Sequence, residues 1–167
     1  QSASFAHDAD GGQHIAYYDA TFRQLKVPHR PDPDSPWAIQ TVTTTPLTGQ
    51  YCSLAVGARQ SVAGDATVTA GANQAVILRG VVVSPLLIGG RFQAGPSTTT
   101  YGITDVNADA GRITLDASFT GSSGASVLCT VAFYQPVIGY QEGNSRRLLR
   151  VARPRARGRQ RLSVGEK

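Results

Sequence analysis

The chain has 167 residues, 41% of them apolar and only 16% charged, with 18 glycines and 9 prolines. That allows one ordinary domain with extensions at its ends and excludes coiled coils and fully disordered chains. The net charge of +5 is split, because 7 Lys and Arg stand against 10 Asp and Glu up to Asn144 (−3) and 9 against 1 from Ser145 onward (+8), so the basic character belongs to the C-terminal segment.

No run of residues approaches the 18 or so apolar positions that a bilayer span needs. The longest candidate, Ala75 to Ile88, is interrupted by Arg79, Ser84 and Pro85, so no transmembrane span is expected. Methionine is absent throughout, and Gln1 is therefore not expected to be the point where translation starts.

Residues 1 to 12, QSASFAHDADGG, are small, polar and without apolar periodicity, and read as an arm or loop. His7, Asp8, Asp10 and His14 place two imidazoles and two carboxylates within eight residues. The Asp-x-Asp-Gly opening resembles a calcium loop, but the later oxygen ligands and the closing Glu are missing, so no metal is expected there.

From Gln13 to Val27 the residues Ile15, Tyr18, Phe22 and Leu25 recur at spacings of three, four and three. This predicts a short amphipathic helix ending at Pro28. Its competitor is an extended arm laid over a neighbour, because Tyr17, Tyr18, Thr21 and Val27 suit strands better than helix interiors. Pro28, Pro31, Pro33 and Pro36 then predict a stiff connector. His29 reads as part of it rather than as a general base. Trp37, the only tryptophan, reads as an anchor for the connector, with sugar stacking as the alternative.

Beyond Trp37 short β-prone runs alternate with turn residues as far as Tyr140. Seven to nine strands at such spacing predict an antiparallel β-sandwich, jelly-roll-like, or a barrel. Cys52 and Cys129 each lie in a strand-like run and belong to no CxxC pair. They read as two buried thiols or as one inter-strand disulfide. Gly80, inside the apolar run QAVILRGVVV, predicts a bulge or sharp bend.

The clearest unit is a hairpin, Thr100 to Val106 against Arg112 to Phe119, joined by NADAG. Ile113, Leu115, Ala117 and Phe119 are expected on one face. No GxSxG, GxxxxGK[ST], HExxH or GxGxxG pattern is present, and the Gly121-Ser122-Ser123-Gly124 stretch reads as a hairpin loop. No catalytic residue and no cofactor are expected.

The C-terminal segment carries Arg146, Arg147, Arg150, Arg153, Arg155, Arg157, Arg159 and Arg161. Arginine at this density suits bidentate phosphate contacts and counterion release, or an acidic protein surface. Leu148, Leu149 and Val151 are expected on one patch of a short helix before Pro154. The division predicted is thus an N-terminal arm with connector (1–36), a β domain (37–140) and a basic tail (141–167).

The hairpin YGITDVNADAGRITLDASF, from Tyr101 to Phe119, is similar in style to segments of tailed-phage capsid, decoration and tail proteins. The resemblance covers about 20 residues and implies a non-enzymatic virion protein that self-assembles or cements neighbours through its terminal arms. Its partners would be copies of itself, other virion proteins and packaged nucleic acid. Ile15, Tyr18, Phe22, Leu25 and Trp37 would make the arm contacts. The competing expectation is a secreted β-sandwich binding module for carbohydrate or cell-surface targets.

Overall fold

The computed structural model describes residues 3–43, 48–142 and 148–152. Its strands are β1 (Ala3–His7), β2 (Gln13–Asp19), β3 (Gln24–Arg30), β4 (Ala38–Thr43), β5 (Thr48–Val68) and β6 (Gln74–Arg79). They continue as β7 (Arg91–Ala94), β8 (Tyr101–Asn107), β9 (Arg112–Leu115), β10 (Gly124–Glu142) and β11 (Leu148–Ala152), with one 3-10 turn at Pro85–Leu87. The expected all-β class is the class observed. No helix among the described residues is long and apolar enough to cross a membrane.

The described chain divides into two compact units, and the division does not fall at Trp37. One unit holds the residues up to Ala58 and those from Gln135 onward; the other runs from Arg59 to Tyr134. The long strands β5 and β10 therefore contribute one part to each.

The second unit is a closed six-stranded antiparallel barrel. Its strands follow the order β10, β5, β6, β9, β8, β7, and β7 pairs back onto β10 with Cys129 opposite Ala94 and Val131 opposite Phe92. Closure leaves no free edge, and alternate side chains of each strand fill the interior. Phe92, Phe133, Leu87, Ile103, Ile113, Val68 and Val131 are among its largest fully buried members.

Two turn features of this unit were visible in the sequence. In the β8–β9 hairpin the Asn107 side-chain oxygen accepts from the Ala110 N–H at 3.0 Å, and Gly111 takes φ +61°. Gly80, just past β6, has φ +85°, and a Cβ there would lie 2.5 Å from the Ala63 carbonyl oxygen. The expected inward face is kept by Ile113, Leu115 and Phe119, but Ala117 is exposed. β9 ends at Leu115, so the two-residue alternation no longer governs Ala117.

In the first unit β1, β2, β3 and β4 form an antiparallel meander, each strand paired with the next in sequence. The helix expected over Gln13–Val27 is instead a hairpin. The physical reason lies in two aspartates. Asp8 closes the β1–β2 turn, its Oδ1 accepting from Asp10 N at 3.0 Å and Gly12 N at 2.8 Å. Asp19 ends β2, accepting from Thr21 N at 3.0 Å and Phe22 N at 3.1 Å, with Arg23 at φ 55°. Such side-chain bonds to nearby backbone favour turns over helix interiors. The spacing of three and four thus runs through a turn and marks no helix face.

The meander covers its own core: Ala16, Leu25, Val27 and Val42 pack with Leu54 of β5 and with Ile138 and Tyr140 of β10. The segment expected to be an arm therefore supplies three strands and three of the seven buried residues of this core, Ala16, Leu25 and Val27. The proline-rich stretch splits: Pro28 lies within β3, and Asp32 organises the loop that follows by accepting from Asp34 N, Ser35 N and the Ser35 hydroxyl.

Candidate interaction face

Period-two alternation gives the meander two unlike surfaces. On β2, His14, Ala16 and Tyr18 are buried while Gln13, Ile15, Tyr17 and Asp19 point the other way. The register sets Phe5 against Ile15 and Pro28 against Ile39. Because Gln13 opposes Arg30 and Tyr17 opposes Lys26, Ile15 is level with Pro28. An apolar row, Phe5, Ile15, Pro28 and Ile39, thus crosses all four strands on the outward side, with Ile15 half-buried and Pro28 buried within it. Phe5 is 52% exposed and Ile39 50%.

Two cations flank this row, each held against an aromatic ring. Lys26 Nζ lies 4.6 Å from the centre of the Phe22 ring and 2.7 Å from Asp19 Oδ2. That lysine bond, helped by the Phe22 N–H, holds the Asp19 carboxyl below its ordinary value. At the other end the Arg30 guanidinium sits 4.6 Å from the Trp37 ring and donates to Gln13 Oε1 at 2.8 Å and to the Pro33 carbonyl at 2.5 Å. Cation–π contact of this kind pre-positions both side chains. Close by, the Ser35 hydroxyl lowers the Asp32 carboxyl by donating to it.

The inward surface of the same sheet carries polar groups under the β1–β2 turn. His14 and His29, a cross-strand pair, are buried with rings stacked at 5.5 Å, and His14 Nε2 lies 2.9 Å from Asp8 Oδ2. Asp8 spends its oxygens on the turn and on His14. Among the described residues no group of three or more His, Cys, Asp or Glu is placed to hold a metal ion.

The five expected arm residues separate accordingly. Tyr18 and Leu25 are buried, Leu25 in the unit's hydrophobic core; Ile15 is on the outward face, while Phe22 in the β2–β3 turn and Trp37 before β4 are exposed. Phe5, Tyr17 and Ile39 join that face without having been singled out. The signal that could have found them is the alternation in Ser4-Phe5-Ala6-His7 and His14-Ile15-Ala16-Tyr17, read with the aspartates as turn residues.

Of the two readings of Cys52 and Cys129, buried thiols or a bridge, the bridge is not formed; Cys129 is buried and Cys52 half-buried. Cys52 packs against the core of the first unit, its Sγ donating to the Ala16 carbonyl at 3.2 Å. Cys129 lies in the core of the barrel, where burial first and the nearby Asp65 charge second push its thiol up to about 11. Each sulfur is thus committed to a different core. Asp65 itself pairs with Arg79.

Of the eight arginines, Arg150 falls in β11, with its backbone opposite Tyr140. Leu148, Leu149 and Val151 are in that strand and not in a helix. Arg146, Arg147, Arg153, Arg155, Arg157, Arg159 and Arg161 lie outside the described residues. No protein-family model, no curated protein and no solved structure matches this chain.

Proposed function

We propose that this chain is a non-enzymatic structural protein of a virus particle, one that self-assembles or cements neighbouring subunits. The observation that carries the reading is the exposure of Phe5, Ile39 and Trp37, with half-buried Ile15 in register with Phe5, on a sheet whose other side already has its core. Contact surfaces are enriched in aromatic residues and arginine, and Phe5, Trp37 and Arg30 belong to this face. Unlike the arm-wrapping version of the idea, this reading puts the N-terminal contact on a folded sheet.

The second element is the charge of +8 from Ser145 onward. In this reading those arginines meet packaged nucleic acid or an acidic face of a neighbour. The alternative, a secreted β-sandwich binding module, draws on the same exposed aromatics, Trp37, Phe22 and Tyr51.

The test is the mass of the native assembly, measured for the full chain and for a chain lacking residues 145–167. The proposal expects a multi-subunit species, and nucleic-acid affinity that drops about 1000-fold between 50 and 200 mM salt and disappears with the deletion. A monomer at every concentration, with binding unchanged by the deletion, would reject it.

A further inference from the structure

We infer that the buried pair His14 and His29 is an acid-operated latch on the β1–β4 sheet. The sheet is closed while the pair carries at most one proton, and a second proton loosens the β1–β2 hairpin from β3. The inference goes beyond the assembly reading and does not depend on it. Three observations carry it.

The first is the position of the rings. His14 on β2 and His29 on β3 are cross-strand partners, 2% and 4% exposed, with ring centres 5.5 Å apart and planes at 14°. A buried charge is costly unless it is paired. Two imidazolium rings at this spacing also repel each other.

The second is the hydrogen bonding of His14. Its Nε2 lies 2.9 Å from Asp8 Oδ2, while its Nδ1 is buried and has no hydrogen-bond partner. A neutral ring that donates from Nε2 to Asp8 fits this site with Nδ1 left bare. Protonation adds a buried N–H at Nδ1 that nothing accepts, so the charged ring is satisfied on one side only.

The third is the charge around the pair. Asp8 faces it from the β1–β2 turn and balances one proton. The other described acids of this unit point elsewhere: Asp10, Asp32 and Asp34 are exposed, and Asp19 is outward with Lys26. On β1, Ala6 opposes His14, while His7 opposes Gln13 with its ring against exposed Phe5. Arg30 reaches Gln13 on the outward side. β4 has no ionisable residue, and its Ala38 opposes His29. Tyr18, Tyr140 and Cys52 share the inward side, and phenols and thiols ionise above the imidazole range. The side chains of Glu142 on β10 and Arg150 on β11 lie outside the described residues. A second proton thus meets no further buried carboxylate among the described residues. The open hairpin binds both protons and the closed sheet one, so acidification raises the opening equilibrium by up to about tenfold per pH unit.

The experiment is NMR of the full chain between pH 8 and pH 5. It follows the ring signals of the three histidines and the amide protection factors of β2, with β9 in the barrel as internal control. The parent is compared with His29→Gln, which leaves one buried imidazole, and with His7→Gln, which removes the exposed one. We expect β2 protection in the parent and in His7→Gln to fall at least about tenfold between pH 7 and pH 5 while β9 stays level, and to change less than about threefold in His29→Gln. Proton uptake by both buried rings with β2 protection unchanged would overturn the inference, and this reading needs the parent alone. So would an equal fall over β9, which marks global unfolding, or the same acid dependence in a folded His29→Gln protein. Rings that stay neutral at pH 5 with full protection would overturn it as well.

Discussion

His14 and His29 lie stacked across β2 and β3, ring centres 5.5 Å apart and planes 14° from parallel, with Asp8 Oδ2 2.9 Å from the His14 Nε2. Through Asp8 this buried pair is joined to the turn above it, since the other carboxylate oxygen accepts from Asp10 and Gly12. One side chain therefore fixes both the turn geometry and a buried polar contact.

Removing that carboxylate leaves buried donors without an acceptor. Asp8→Ala is expected to lower stability by about 2–3 kcal/mol, and Asp8→Asn, which retains an acceptor oxygen, by less. Urea unfolding midpoints measure the difference. A loss below about 0.5 kcal/mol for Asp8→Ala would show that the carboxylate does not hold the hairpin.

Glycine substitutions should rank by backbone angle and by space. At Gly80, with φ +85°, a new Cβ meets the Ala63 carbonyl oxygen and Gly64 Cα at 2.5 and 2.6 Å. Gly80→Ala is expected to cost about 2–4 kcal/mol. At Gly57 nothing lies within 4 Å of a new Cβ. Gly57→Ala should be neutral, or stabilising by a few tenths of a kcal/mol through the unfolded chain. Thermal denaturation of the two variants side by side tests the order.

The two thiols should react differently. Native protein treated with a thiol reagent at pH 8 is expected to label at half-buried Cys52 and to spare buried Cys129, whose thiol is held up to about 11. Because the fold favours the neutral thiol, its stabilising share is full below the ordinary value of 9.0 and is lost as pH rises toward about 11. Mass spectrometry of the labelled peptides, and unfolding at pH 8 and 10.5 for the parent and Cys129→Ala, check both statements. Faster labelling of Cys129 than of Cys52 would refute the first.

Tyr101 anchors the far side of the barrel hairpin. Its hydroxyl accepts from the Thr120 N–H at 2.9 Å and lies 2.8 Å from the Thr120 hydroxyl, while the ring packs 5.6 Å from Phe119. Tyr101→Phe keeps the ring contact and strands the Thr120 amide. The expected cost is about 1–2 kcal/mol, read from the unfolding midpoint. Hydrogen exchange at Thr120 should quicken in the same variant.

The strands from Tyr51 to Tyr140 and the β8–β9 hairpin were legible in the sequence because each depends on neighbours a few residues away. β-branched runs, Asn107 at its turn and Gly80 at its bend carry their meaning locally. The N-terminal third is not legible in the sequence for a related reason. Ile15, Tyr18, Phe22 and Leu25 mimic a helical stripe, and only pairing with β1 and β4 shows that two face inward, one outward and one sits in a turn.

By itself, then, the sequence determined the β class, the turn positions in the barrel half, the charge division at Asn144 and the lack of familiar catalytic motifs. Tertiary structure decided what no local pattern holds: closure of β7 onto β10, the separation of Cys52 and Cys129 into two cores, and the row that joins Phe5 to Ile39. Strand order and register are set by contacts between residues far apart in the chain. Their selection rests on which faces can be buried together, and a one-residue slip would turn every side chain of a strand to the opposite surface.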